Sequence, residues 1–103
     1  MGRPEAYVED YLRKRSKQKE WLCYKWVSPG RSGVPDDIVI TDSGIVVFVE
    51  CKSATGKLSE LQKLTIGKLR DHGADVRVVY TREEVDELFE ELEEKGKRKR
   101  KKE

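Results

Sequence analysis

The first part of the chain has apolar and charged residues at the spacing of an amphipathic helix. In residues 4–19, Val8 and Leu12 lie one helical turn apart, and basic residues crowd the C-terminal end. Pro4 suits the first position of a helix because its missing N–H has no helical partner there. The pattern therefore predicts a helix over residues 4–19.

Two capping-box pairs mark the starts of two further helices. Ser59 and Gln62 form the first pair, and we expect the helix that follows to reach His72. Thr81 and Glu84 form the second pair. The apolar residues after it recur at intervals of three and four, at Val85, Leu88, Phe89 and Leu92. Such a stripe is typical of a helix packed against a core.

Four shorter runs are rich in β-branched and aromatic residues and have the character of strands. They cover residues 21–27, 37–41, 45–51 and 76–80. Asp42-Ser43-Gly44 separates the second and third runs as a tight hairpin turn, in which Gly44 suits the left-handed position. The order α-β-β-β-α-β-α, with middle strands apolar on both faces, predicts a mixed α/β sandwich whose central sheet is flanked by helices.

Size and charge divide the chain into a body and a basic end. The 103 residues suit one domain with a modest core, so self-association would add stability. Residues 95–103 hold seven basic residues and one acid, and removing them leaves 15 basic and 19 acidic residues. We predict a folded domain over residues 1–94 and a disordered basic tail over 95–103, which either binds a polyanion or aids solubility.

Several classes of protein are disfavoured by the composition. No apolar run is long enough to span a membrane, and the N-terminus lacks the apolar stretch of a signal peptide. Cys23 and Cys51 lie inside strand-like runs without metal-ligand spacing. We expect them to be reduced thiols in a cytosolic-type compartment, with a single disulfide as the alternative.

The hairpin turn sets two carboxylates opposite each other. If the turn is centred on Ser43, opposed residues have numbers that sum to 86, which pairs Asp36 with Glu50. Their Cβ atoms would lie about 5 Å apart, and two like charges there destabilise a sheet. A divalent cation between them would reverse this repulsion, and Mg²⁺ takes one or two carboxylates together with substrate phosphate. The pair therefore predicts a metal site.

Lys52 follows Glu50 at the next position on the same face of its strand. An ammonium there can orient water or neutralise charge on a phosphate. Cys51 points to the other face, although its backbone carbonyl could reach the metal. A one-residue slip would exchange Asp36 for Asp37. Alternatively, these residues form an ordinary solvent-facing strand end.

These residues together resemble a known nuclease pattern. The segments Gly33-Val34-Pro35-Asp36, Glu50-Cys51-Lys52 and Leu58-Ser59-Glu60-Leu61-Gln62 resemble the PD-(D/E)XK superfamily, and within it the stand-alone VRR-NUC domain. The likeness extends from about residue 5 to residue 92. It implies a restriction-endonuclease-like αβββαβ core with an added C-terminal helix.

The resemblance also implies roles for particular residues. Asp36 and Glu50 would ligate Mg²⁺ or Mn²⁺, and Lys52 would assist the attacking water. A helix glutamate, at Glu9 or alternatively Glu5, would support the metal. Contact through a bridging water is one alternative for Glu9, and a solvated helix face is its competing interpretation. Gln62 would lie near the active site as well as cap its helix. The residues we expect to contact nucleic acid are Lys25, Arg31 and Lys57, although Lys25 could instead only cover Trp21 and Trp26.

The resemblance implies the substrate and partners, and the basic tail and basic first helix support a nucleic-acid partner only indirectly. Stand-alone members, found in phages and bacteria, resemble Holliday-junction resolvases, so we expect a homodimer that cuts branched DNA as a metal-dependent endonuclease. The resemblance also implies a cytoplasmic location in a bacterial or phage-infected host cell. A second hypothesis is a non-catalytic DNA-binding or assembly module on the same fold. A third is a small structural α/β protein whose basic tail binds RNA or an acidic partner.

Overall fold

The computed structural model describes residues 5–102 of this chain. It contains three helices and four strands in the predicted order. Their bounds are α1 Glu5–Gln18, β1 Leu22–Lys25, β2 Asp37–Ile40, β3 Val46–Cys51, α2 Glu60–Asp71, β4 Val76–Val79 and α3 Arg82–Lys102. The predicted start of the first helix at Pro4 lies outside the described residues.

The four strands form one mixed sheet in the order β1-β2-β3-β4. β1 with β2 and β2 with β3 are antiparallel pairs, whereas β3 and β4 are parallel. Parallel neighbours need a crossover connection, and α2 supplies it. The α/β fold class predicted from the sequence is therefore confirmed, with helices on both faces of a mixed sheet.

One face of the sheet carries the main core. Alternate residues of β2 and β3 point to this face, and α1 and α3 cover it. The residues that form this core are Val8, Leu12, Trp21, Val39, Val47, Val49, Cys51, Val79, Val85, Leu88, Phe89 and Leu92. Phe89 is fully buried and its ring lies 4.9 Å from that of Trp21. This face holds α1 at a fixed position over the sheet.

The opposite face is covered less completely. α2 packs over the β4 side, and Ile66 is its one buried residue. Towards β1 the face stays open, and several large apolar side chains on this side of the molecule are exposed. They include Leu22, Tyr24 and Val46 on the strands and Leu61 and Leu64 on α2. An apolar surface of this kind is typical of an interaction site.

Residues 95–102, predicted as part of a disordered tail, are helical in the structure, because α3 continues to Lys102. Gly96 is buried against the β2–β3 turn, and the Lys99 Nζ atom donates to the Ser43 carbonyl oxygen at 2.6 Å. Lysine and arginine are good helix formers, so the basic segment extends the helix once these contacts hold it. Glu103 lies outside the described residues.

Candidate active site

The register of the central hairpin decides which carboxylates meet. β2 pairs with β3 so that Asp37 is opposite Val49 and Ile40 is opposite Val46. One further step along this register brings Asp36 opposite Glu50, as the turn predicted. Gly44 has a positive φ of 84°, which the tight turn requires. Opposed residues of an antiparallel pair share a face, so both carboxylates lie on the side of the sheet that α2 covers.

Asp36 is held against the end of β3 by a backbone hydrogen bond. Its Oδ2 atom accepts from the backbone N–H of Cys51 at 3.0 Å. Burial raises the pKa of this carboxyl, although the hydrogen bond from Cys51 acts in the opposite direction. The carboxylate is therefore fixed in position while its surroundings disfavour the negative charge.

Glu50 is 1% exposed, which is unusual for a carboxylate. Its Oε2 atom accepts from the Gln62 Nε2 at 3.1 Å and lies 3.4 Å from the Lys52 Nζ. Its Oε1 atom is buried and has no hydrogen-bond partner among the described residues. Burial, and then the charge of Asp36, raise the pKa of Glu50 to about 7. One oxygen of this group is therefore left unsatisfied.

Lys52 lies between two carboxylates at the end of β3. Its Nζ atom is 3.4 Å from an oxygen of Glu50 and 3.4 Å from an oxygen of Glu5, the first described residue of α1. Burial disfavours the charged ammonium, but these two carboxylates outweigh burial and raise the pKa of Lys52. The side chain is therefore a fixed cation beside the carboxylate pair.

Gln62 connects the start of α2 to this site. Its Oε1 atom accepts from the backbone N–H of Ser59 at 2.9 Å, and its Nε2 atom donates to Glu50. The Ser59 hydroxyl accepts from the backbone N–H of Gln62, which completes the capping box predicted from the sequence. One amide thus both caps the helix and orients a buried carboxylate.

The two helix glutamates occupy different surroundings. Glu5 contacts Lys52, whereas the Glu9 Oε2 atom accepts from both Lys25 and Arg13 at 3.0 Å. Burial opposes the charge of Glu9, but Asp37, Lys25 and Arg13 outweigh it and lower the pKa. The structure therefore places the sequence-based alternative, Glu5, against the lysine and places Glu9 beside Asp37.

Asp37 is a buried acid that sequence reasoning considered only as a rival of Asp36. It is 0% exposed, and neither carboxyl oxygen has a hydrogen-bond partner in the described part of the chain. The nearest ion-pair distance is 3.6 Å, to the Arg13 Nη2. Burial, followed by the interaction with Glu9, raises its pKa to about 8. Strand alternation could have predicted that Asp37 is buried, because it points to the same face of β2 as the core residue Val39.

The remaining predicted residues lie around this end of the sheet or on nearby loops. Lys25 contacts Glu9, and Arg31 and Lys57 are exposed on loops where no described carboxylate pairs with them. The thiol of Cys51 faces the core, and burial raises its pKa, so it is no nucleophile. Cys23 and Cys51 are both free, as expected.

Comparison with known proteins identifies the family. The model of the VRR-NUC domain family matches residues 9–83, which is most of the chain and includes Asp36, Glu50, Lys52 and Gln62. The chain belongs to the VRR-NUC family.

Two relatives of this VRR-NUC protein agree with that assignment. "Putative nuclease p44" of Acyrthosiphon pisum secondary endosymbiont phage 1 is 38% identical over 68 residues, which are 66% of this chain and 67% of the phage protein. A solved structure described as a VRR_NUC domain has 36% sequence identity and a TM-score of 0.77. That match covers 84% of this chain and 94% of the solved one. The chain is thus a member of a nuclease family.

The acidic residues of this VRR-NUC domain suit a hard cation with few protein ligands. No group of three His, Cys, Asp or Glu side chains converges in a metal-ligating arrangement among residues 5–102. Mg²⁺, however, usually keeps several waters and takes only one or two carboxylates plus substrate phosphate. The unpartnered Oε1 atom of Glu50 and the raised pKa values of Asp36 and Glu50 are what such an ion would relieve.

None of the helices within residues 5–102 combines the length and the apolar character needed to cross a membrane.

Proposed function

We propose that this VRR-NUC protein is a metal-dependent endonuclease that hydrolyses phosphodiester bonds of DNA. The observation that carries the proposal is the pairing of Asp36 with Glu50 at the end of the hairpin, beside the cation of Lys52. Folding alone does not favour this arrangement, since burial raises the pKa values of both carboxyls and the charge of Asp36 raises that of Glu50 further. Perturbed acids of this kind cluster at functional sites.

Asp36, Glu50 and the backbone carbonyl of Cys51 would hold Mg²⁺ or Mn²⁺. When bound, such an ion activates water and withdraws charge from a phosphoryl oxygen. The chain itself positions the two carboxylates and provides a positive charge for the phosphate. Gln62 holds Glu50 by one oxygen and leaves the other available, and the Cys51 N–H does the same for Asp36. Lys52 presents a fixed positive charge where the phosphate gains negative charge.

The test is cleavage of labelled DNA with and without Mg²⁺. We expect the wild type to cut, EDTA to stop cutting, and both Asp36→Asn and Lys52→Ala to lower the rate by at least about 100-fold. Lys63→Ala is a matched control, because this exposed lysine pairs with Glu60 on the outer side of α2. Binding without turnover in any metal would instead support a non-catalytic DNA-binding module. Equal rates for the wild type and both active-site variants would disprove the proposed site.

The finer part of the proposal is that the protein acts on branched DNA as a homodimer. Two opposed strands of a junction need two active sites, and each chain has one candidate site. The exposed apolar side chains on β1, β3 and α2 supply a surface that a second copy would bury. A four-way junction and its linear arms, compared as substrates at equal concentration, test the preference. Equal cleavage of both would contradict it.

A further inference from the structure

The end of α3 carries a concentration of positive charge that the active site does not use. Lys97 and Arg98 are exposed, and neither has an ion-pair partner within the described residues. Of the acids around them, Asp42 pairs with Arg100 and Glu93 with Lys19, whereas Glu94 lines the same surface pocket as Lys97 and Arg98 without an ion pair to either. The charge of Lys97 and Arg98 is therefore available to a partner.

Contacts with the hairpin turn hold this end of the helix in place. Gly96 packs so closely that an added Cβ atom would lie 2.9 Å from the Ser43 hydroxyl oxygen. Arg100 lies 2.7 Å from an oxygen of Asp42, whose other oxygen accepts from the Trp21 indole N–H at 3.2 Å. The basic residues are thus presented by a docked helix rather than by a flexible tail.

The basic end and the active site lie at opposite ends of the same hairpin. Ser43 and Gly44 form its turn, whereas Asp36 and Glu50 lie where its strands separate. The six residue steps from Gly44 to Glu50 span about 20 Å of extended strand. α1 runs alongside with 14 residues, or about 21 Å of helix, from the Lys52 contact towards the turn. At about 3.4 Å per base pair, this length of the hairpin corresponds to about six base pairs of duplex DNA. Because α3 and the two carboxylates lie on opposite faces of the sheet, the duplex would pass along the β1 edge, where Lys97 lies beside Lys19 and Trp21.

We propose that Lys97 and Arg98 bind the phosphate backbone of a duplex arm about six base pairs from the bond held at Asp36 and Glu50. This inference rests on the proposed nuclease function and adds a second contact to it. DNA suits the surface because residues 1–94 carry a net charge of −4 and the active-site end of this body is acidic. Such a body repels a polyanion unless separate cations attract it.

The test compares Lys97→Gln/Arg98→Gln with Lys63→Gln/Lys68→Gln, a control pair that removes the same charge from α2. Binding to a four-way junction with 12-base-pair arms is measured in EDTA at several salt concentrations, with Glu50→Gln in both proteins to prevent cutting. We expect the α3 variant to bind more weakly and to lower the slope of log K against log salt by about two, one for each lost phosphate contact. The proposal would be overturned if both variants lost the same amount of affinity for the junction, or if the α3 variant lost none.

Arm length gives a second measurement that does not depend on the variants' net charge. With arms of four base pairs, each closed by an interstrand cross-link so that the junction stays annealed, the duplex cannot reach the end of α3, so the α3 variant and its control should bind alike. A difference that persists on short arms would contradict the proposed position of the contact.

Failure of the nuclease function would be recognised separately. It would appear as absence of cleavage by the wild type in Mg²⁺, whereas both binding measurements are made without metal or turnover. If cleavage occurs, the α3 variant should raise KM and leave kcat unchanged. A fall in kcat with unchanged KM would argue against a binding contact.

Discussion

Glu50 shows how one residue can oppose stability and still belong to a well-ordered site. It is buried next to Asp36, and one of its oxygens is unsatisfied. Only the hydrogen bond from Gln62 and the charge of Lys52 stabilise its ionised form. A buried acid of this kind destabilises the fold at neutral pH because the unfolded chain ionises more easily. The arrangement is therefore better explained by ligand binding than by packing.

Replacing Glu50 with glutamine should stabilise the metal-free protein. Glutamine has nearly the same shape but carries no charge, so its burial avoids the desolvation that raises the pKa of Glu50 to about 7. We expect Glu50→Gln to increase the free energy of unfolding by about 1–2 kcal/mol at pH 8 in EDTA, measured by urea denaturation.

The same variant should abolish cleavage in Mg²⁺. Glu60→Gln is the control, because Glu60 is 92% exposed on α2 and its charge is fully solvated. Its stability and activity should match the wild type. A destabilised Glu50→Gln protein would show that this carboxylate supports the fold rather than the chemistry.

The stability of the metal-free protein should fall as pH rises from about 5 to 8. Burial raises the pKa values of Asp36, Asp37 and Glu50 above those of the unfolded chain, so the folded state binds more protons in this range. Unfolding then releases protons, and higher pH favours the unfolded state. Groups with lowered pKa values, such as Glu9 and Glu91, lose their stabilising effect only at lower pH.

Thermal unfolding at fixed ionic strength in EDTA checks this pH dependence. Added Mg²⁺ should raise Tm more at pH 8 than at pH 5, because the ion binds the ionised carboxylates. A Tm that rises between pH 5 and 8 in EDTA would contradict the proposed cause.

At the scale of the element, the start of α2 combines helix capping with placement of the buried carboxylate of Glu50. Ser59 supports only the cap, whereas Gln62 supports both the cap and Glu50. We expect Ser59→Ala to lower the free energy of unfolding by about 1 kcal/mol with little change in kcat. Gln62→Ala should cause a similar loss of stability and also a clear fall in kcat.

Denaturation curves and cleavage rates of these two variants separate the functions. If both variants lowered kcat equally, helix fraying would account for the effect, and the bond from Gln62 to Glu50 would have no positioning role.

At the scale of the whole molecule, the open apolar face is the feature that a single chain leaves unexplained. Leu64 is 55% exposed on α2, on the same side of the sheet as the 59% exposed Tyr24. If a second copy covers this surface, Leu64→Glu should convert a dimer into a monomer, as measured by light scattering after gel filtration. Lys63→Glu on the outer side of the same helix is the matched control. A wild type that is monomeric at high concentration would contradict this interface.

Local patterns in the sequence predicted most of the secondary structure. Capping residues at Ser59 and Gln62 placed the start of α2, and Gly44 placed the turn and with it the register that pairs Asp36 with Glu50. These predictions succeeded because turns, caps and strand alternation depend on residues close together in the chain.

What the tertiary structure decided depends on contacts between distant segments. The charge of residues 95–103 predicted disorder, but Ser43 and Asp42 lie more than 50 residues earlier and hold the helix. Local sequence likewise left Glu5 and Glu9 as alternatives, since both lie on one helix. Only the packing of α1 across the sheet brought Glu5 to Lys52 and Glu9 to Lys25. The sequence by itself determined the elements and the carboxylate pair, because these follow from local spacing. The surroundings of each charge were decided by the fold, because burial depends on which distant side chains exclude water.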